Sequence, residues 1–134
     1  MKGIIFKEEK KITGYMDVIM LPFKEIFVNF NWLITNCDVY CKNSRINNGK
    51  EYIFIEGKEL LEIISTEKIQ FVWGVFSGFK KEIPLNNILM YELPFVDGNE
   101  NFWKNKIIIQ HPLAEIEIVS FDSSFFYLSL KMIF

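Results

Sequence analysis

The sequence predicts an α+β fold, on three grounds. Short apolar segments with two-residue alternation recur along the chain, two stretches repeat at helical spacing instead, and the C-terminal apolar segments are joined by short links. The expected architecture is an antiparallel sheet of about five to seven strands. Two helical segments should pack on its apolar face, and the last three strands should form a C-terminal meander. At 134 residues the chain fits one domain, spanning 1–134, with no linker, repeat or low-complexity tract.

Lys2 to Phe6 reads as a first strand. Thr13 is placed to cap a helix whose buried face would carry Tyr15, Val18, Ile19, Ile26 and Phe30. Pro22 forces either a kink there or a split into two short helices. Asn31 to Ile34 and Val39 to Lys42 read as a hairpin turning at Thr35-Asn36, and the polar run 42–50 as a loop. Tyr52 to Ile55 is a short strand. The second helix is expected over Gly57 to Glu67, with Leu60, Leu61, Ile63 and Ile64 inward and Glu56, Glu59 and Glu62 near its positive end.

Ile69 to Phe79 is the strongest strand, rich in aromatic and β-branched residues. Phe71, Trp73, Val75, Ser77 and Phe79 alternate onto one face; Val72, Gly74, Phe76 and Gly78 fall on the other, where the glycines admit a close neighbour. Ile88 to Leu93 reads as a strand ended by Pro94. Lys106 to Gln110, Ala114 to Phe121 and Phe125 to Met132 read as the meander, turning at His111-Pro112 and at Asp122-Ser123-Ser124.

Hydrophobic residues make up 50% and charged residues 24%, a globular balance. The net charge is -2 and Arg45 is the sole arginine, which argues against a nucleic-acid partner. No apolar run reaches the roughly 18 to 20 residues of a membrane span. The apolar start is too short for a secretory signal, so a cytoplasmic setting is expected. Cys37 and Cys41 form a C-x3-C pair, but a second pair is missing and His111 is the single histidine. Two reduced thiols and no metal or other cofactor are the expectation.

Chemistry, if any, would centre on His111, because Glu115, Glu117 and Asp122 follow it closely. Glu115 and Glu117 alternate with Ile116 and Ile118, so both carboxylates share one strand face, where like charges would raise a pKa. The simpler reading puts the isoleucines in the core and the glutamates in water. Trp32, Trp73 and Trp103 are the large anchors, and Trp73 or Trp103 on an open surface would mark a binding patch.

The segments Phe71-Val72-Trp73-Gly74-Val75-Phe76-Ser77, Phe102-Trp103, Gln110-His111-Pro112-Leu113-Ala114-Glu115-Ile116-Glu117-Ile118 and Phe121-Asp122-Ser123-Ser124 carry a resemblance. In order and spacing they resemble a family of small single-domain bacterial proteins known only as a domain of unknown function. That resemblance implies no established activity and no site residues to carry over. Two functional expectations follow from the residues. One is a non-enzymatic module that binds another protein, as small immunity or adaptor proteins do. The other is a small enzyme or ligand-binding domain using His111, Glu115, Glu117 and Asp122. Convergence of those four side chains in a pocket would favour the second.

Overall fold

The computed structural model describes residues 2–7, 15–96, 99, 109–121 and 125–130, with side chains over 15–96, 99 and 109–120. The class is the expected one, with helices packed against an antiparallel sheet. In chain order the elements are β1 (Lys2–Lys7), α1 (Met16–Met20), a 3-10 turn (Leu21–Phe23), α2 (Lys24–Phe27), β2 (Phe30–Tyr40), β3 (Tyr52–Glu56), α3 (Gly57–Thr66), β4 (Gln70–Lys80), α4 (Leu85–Ile88), β5 (Ile116–Phe121) and β6 (Phe125–Leu130). The strand order across the six-stranded sheet is β1-β6-β5-β4-β2-β3. Among the described residues no helix is long and apolar enough to cross a membrane.

Pro22 splits the first helical stretch, as its missing N–H requires, and the 3-10 turn changes the helical phase there. That shift corrects the expected face. Met16, Ile19, Met20 and Phe27 are buried, whereas Val18 and Ile26 are exposed. Thr13, the expected cap, lies outside the described residues. The second helix forms as expected, with Leu60, Leu61, Ile63 and Ile64 buried.

The expected hairpin at Thr35-Asn36 is instead an irregularity inside one long strand, β2. Between the pairs Thr35↔Val75 and Asp38↔Trp73, β2 carries one more residue than β4; between Asp38↔Trp73 and Val39↔Phe71 the extra residue is on β4. Asn36 takes the left-handed conformation that the first bulge needs, with φ 50°. The second bulge reverses the alternation of β4. Phe71 therefore packs with Phe76 in the helix-side core, ring centroids 4.7 Å apart, not with Trp73 and Val75 as strict alternation implies.

The sheet is buried on both faces, which the sequence reading did not anticipate. On one face α1, α2 and α3 cover Trp32, Ile34, Ile53, Ile55, Phe76, Ile116 and Ile118. Here Gly78 makes room for the Trp32 ring: a Cβ at Gly78 would lie 3.1 to 3.3 Å from three of its atoms. The Trp32 indole N–H donates to the Phe27 carbonyl at 2.9 Å. On the other face, α4 and irregular chain cover Leu33, Phe79 and Val75, bringing in Ile88, Val96 and Ala114.

Part of that cover is the segment 88–93, expected as a strand. It is instead the end of α4 followed by turns. Pro84 provides the extended N-cap (φ -75°, ψ 150°), and the Leu89 amide then closes on the Leu85 carbonyl at 2.9 Å. Of the expected C-terminal meander, β5 and β6 form an antiparallel hairpin from Ile116↔Leu130 to Phe121↔Phe125. Its expected first strand falls largely outside the described residues, and Ile109 and Gln110 are not in a strand.

Candidate functional site

The second face of the sheet positions every described polar residue that the sequence singled out around His111. In β4 and β5 the register sets Ser77 opposite Glu117. Because the chain around 109–115 crosses over this face, Glu117 is 1% exposed and Ser77 fully buried. This corrects the simpler sequence reading, which placed Glu115 and Glu117 together in water. The missing signal was tertiary: alternation identifies which residues share a face, but not what lies on top of it.

The Glu117 carboxylate is fastened, not free. The Gln110 amide donates to its two oxygens at 3.1 and 3.2 Å, and the Ser77 hydroxyl donates to Oε2 at 3.3 Å. Burial pushes the carboxyl up to about 7, while hydrogen bonds from the Gln110 and His111 amides and from Ser77 pull it back down. Glu115, two residues earlier, is half-buried at the rim and faces Lys80 at 3.8 Å.

His111 is 1% exposed. The Leu113 amide donates to its Nδ1 at 3.1 Å, and its Nε2 meets the Ile88 carbonyl at 2.8 Å. That pair of partners assigns the proton to Nε2, because a carbonyl can only accept. Its ring lies edge-on to Phe79 and Tyr91, with centroids 4.8 and 5.2 Å away. His111 is therefore a strut between the 109–115 segment and the 88–91 turn. His111→Ala would leave the part-buried Leu113 N–H without its acceptor and a hole between two rings. It is expected to cost roughly 2 to 4 kcal/mol in denaturant melts; an unchanged melt would contradict the strut.

His111 and Glu117 are thus brought together through one segment, but both side chains are closed from solvent and point to different partners. Asp122 and Trp103 lie outside the described residues. Trp73 is half-buried against Val75, Val96 and Val119. It also lines a cleft of about 510 Å³ whose rim carries Asp38, Lys50, Glu51, Pro94 and Phe95. The rim charges are exposed and of mixed sign. Burial pushes the Cys37 thiol up to about 12, with Cys41 and Asp38 adding to the effect, so it is a poor nucleophile. Among the described residues no group of three or more metal-ligating side chains occurs.

The sequence reading missed the surface that this scaffold holds up. Leu89, Met90, Tyr91 and Phe95 are all exposed, Met90 by 80%. The run Ile88-Leu89-Met90-Tyr91 looked like a strand, and Pro84 ahead of it was the available sign of a helical turn. The loop is pinned at both ends. Ile88 is held by His111, while Gln110 Oε1 accepts from the Phe95 amide at 3.0 Å, and Asn36 Oδ1 accepts from the Val96 amide at 2.8 Å. Asn99 adds bonds to the Phe95 carbonyl at 2.8 Å and to Gln110 Oε1 at 3.2 Å.

Comparison with known proteins finds no match among family models, curated proteins or solved structures.

Proposed function

We propose that this chain is a non-enzymatic protein-interaction module that docks another protein through the loop Leu89 to Phe95. The observation that supports this reading is the set of exposed side chains on that loop, Leu89, Met90, Tyr91 and Phe95, carried on chain that is hydrogen-bonded at both ends. Methionine and tyrosine are well suited to contact, one adaptable and one large and rigid. A pinned loop loses little conformational entropy on binding, so its apolar area is used efficiently. The residues that would serve an enzyme are spent as internal fasteners, since His111 and Glu117 are closed off and each has hydrogen-bond partners. Small bacterial immunity or adaptor proteins fit this reading by analogy of size and class. A cytoplasmic setting, a bacterial source and the absence of a nucleic-acid or membrane partner belong to the same proposal.

Met90→Asp tests it. Affinity capture by the wild-type chain should yield a partner that the variant loses by about tenfold or more. Phe23→Asp, an exposed change on the helix side, should retain that partner. Both variants should melt like the wild type. Equal capture by wild type and Met90→Asp would refute the loop as the docking element.

A further inference from the structure

We propose that the protonation state of Glu117 controls how firmly the Leu89 to Phe95 loop is held. This regulation rests on the loop being the docking element, whereas the coupling itself is a property of the fold. The path is a short chain of contacts. The Glu117 carboxylate holds the Gln110 amide, and the Gln110 side chain holds the Phe95 amide and Asn99. The next residue, His111, holds Ile88 and lies against Tyr91. Both ends of the exposed loop therefore depend on residues 110 and 111, and those sit on one buried carboxyl.

The described groups that face that carboxyl carry no formal charge. From β4 it faces Ser77, with apolar Val75 and Phe79 on the same face to either side. From β6 its register partner is Ser129, and the next β2 residue across the sheet is Leu33. From the covering segment it faces Gln110 and His111, whose imidazole turns to Ile88 and Leu113. Glu115 is paired with Lys80 at the rim. Among these described residues no charged side chain contacts the carboxyl, and the relief its ionised form finds from them is by hydrogen bonds.

The direction follows. Protonated, the carboxyl sits under 109–115 without charge to hydrate. Ionised, it gains by letting water in, which requires the covering segment to lift and so loosens Phe95 and Ile88. Burial places this change at about 7, within the ordinary cellular range.

A pH titration of the 15N-labelled full chain between about pH 5.5 and 8.5, followed by amide resonances, tests the coupling without any partner. The Gln110 and Phe95 amides should move with one common midpoint, and both should be flat in Glu117→Gln. Ser77→Ala removes a donor that favours the charged form, so it should shift the common midpoint upward; this variant carries the test if Glu117→Gln does not fold. A Phe95 amide that ignores the Gln110 transition would overturn the proposal. So would a Phe95 transition that persists in Glu117→Gln, since His111 would then be its source. Because no partner is used, failure here leaves the docking surface standing, and retained capture by Met90→Asp would leave the coupling standing.

Discussion

Replacing Gly57 with alanine is expected to destabilise the protein by about 3 kcal/mol or more. Helix propensity alone predicts the opposite sign, since alanine exceeds glycine by about 1 kcal/mol in a helix. The reason lies in what the new methyl would meet. A Cβ at Gly57 falls 2.6 Å from the carbonyl oxygens of Phe27 and Phe30 and 2.9 Å from that of Val28. These are backbone atoms, so no side chain can swing away. Either α3 or the junction between α2 and β2 must move. That junction also carries the Phe27 carbonyl that holds the Trp32 indole, and the Phe27 ring packs on Trp32 at 5.5 Å, so the shift reaches the core. Gly74 gives the contrast. Its Cβ would meet only ring atoms of Phe76 and Phe71, at 3.4 and 3.7 Å, so Gly74→Ala should change stability by less than about 1 kcal/mol. Denaturant melts of both variants settle the comparison, and a Gly57→Ala protein as stable as wild type would mean that α3 does not start against those carbonyls.

Glu117→Gln should stabilise the protein at pH 8 by on the order of 2 kcal/mol. Burial pushes the folded carboxyl up to about 7 from an ordinary value of 4.5, so the native state should hold its proton over a range in which the unfolded chain has released it. Stability from this group is therefore full below about 4.5, falls as the pH rises toward 7, and stays low above that. Glutamine keeps the neutral shape. Its carbonyl can accept from the Gln110 amide and its amino group can donate to the Ser77 hydroxyl. The gain over wild type should therefore shrink toward zero at pH 4.5, where the wild-type carboxyl is also neutral. Glu115→Gln, at the half-buried rim beside Lys80, should change stability by less than about 0.5 kcal/mol. A Glu117→Gln protein that is weaker than wild type at pH 8 would show that the charge is favourable where it sits.

The class of fold and most of the core were legible because they follow from local pattern. The periodicity of Leu60, Leu61, Ile63 and Ile64 identified α3, and the aromatic and β-branched run identified β4. Pattern failed where a single residue changes phase. One bulge converts a hairpin reading into the long β2, another turns Phe71 to the opposite face, and Pro22 with its 3-10 turn exposes Val18 and Ile26. It failed again where burial is tertiary. Glu115 and Glu117 look alike in sequence, yet Glu117 is covered by chain that includes its own hydrogen-bond donor, Gln110. The exposed loop was hidden for a related reason, since an apolar run gives no sign of whether it ends up inside a sheet or projecting from one.

The titration of the Glu117 side-chain carboxyl carbon, followed by 13C NMR in the folded protein, measures the buried fastening directly. A carboxyl closed beneath the 109–115 segment titrates at about 7. A midpoint at the ordinary 4.5 would mean that the carboxyl is hydrated or that its hydrogen bonds offset burial in full, and either would contradict a burial-driven coupling of its charge to Gln110, His111 and the exposed loop.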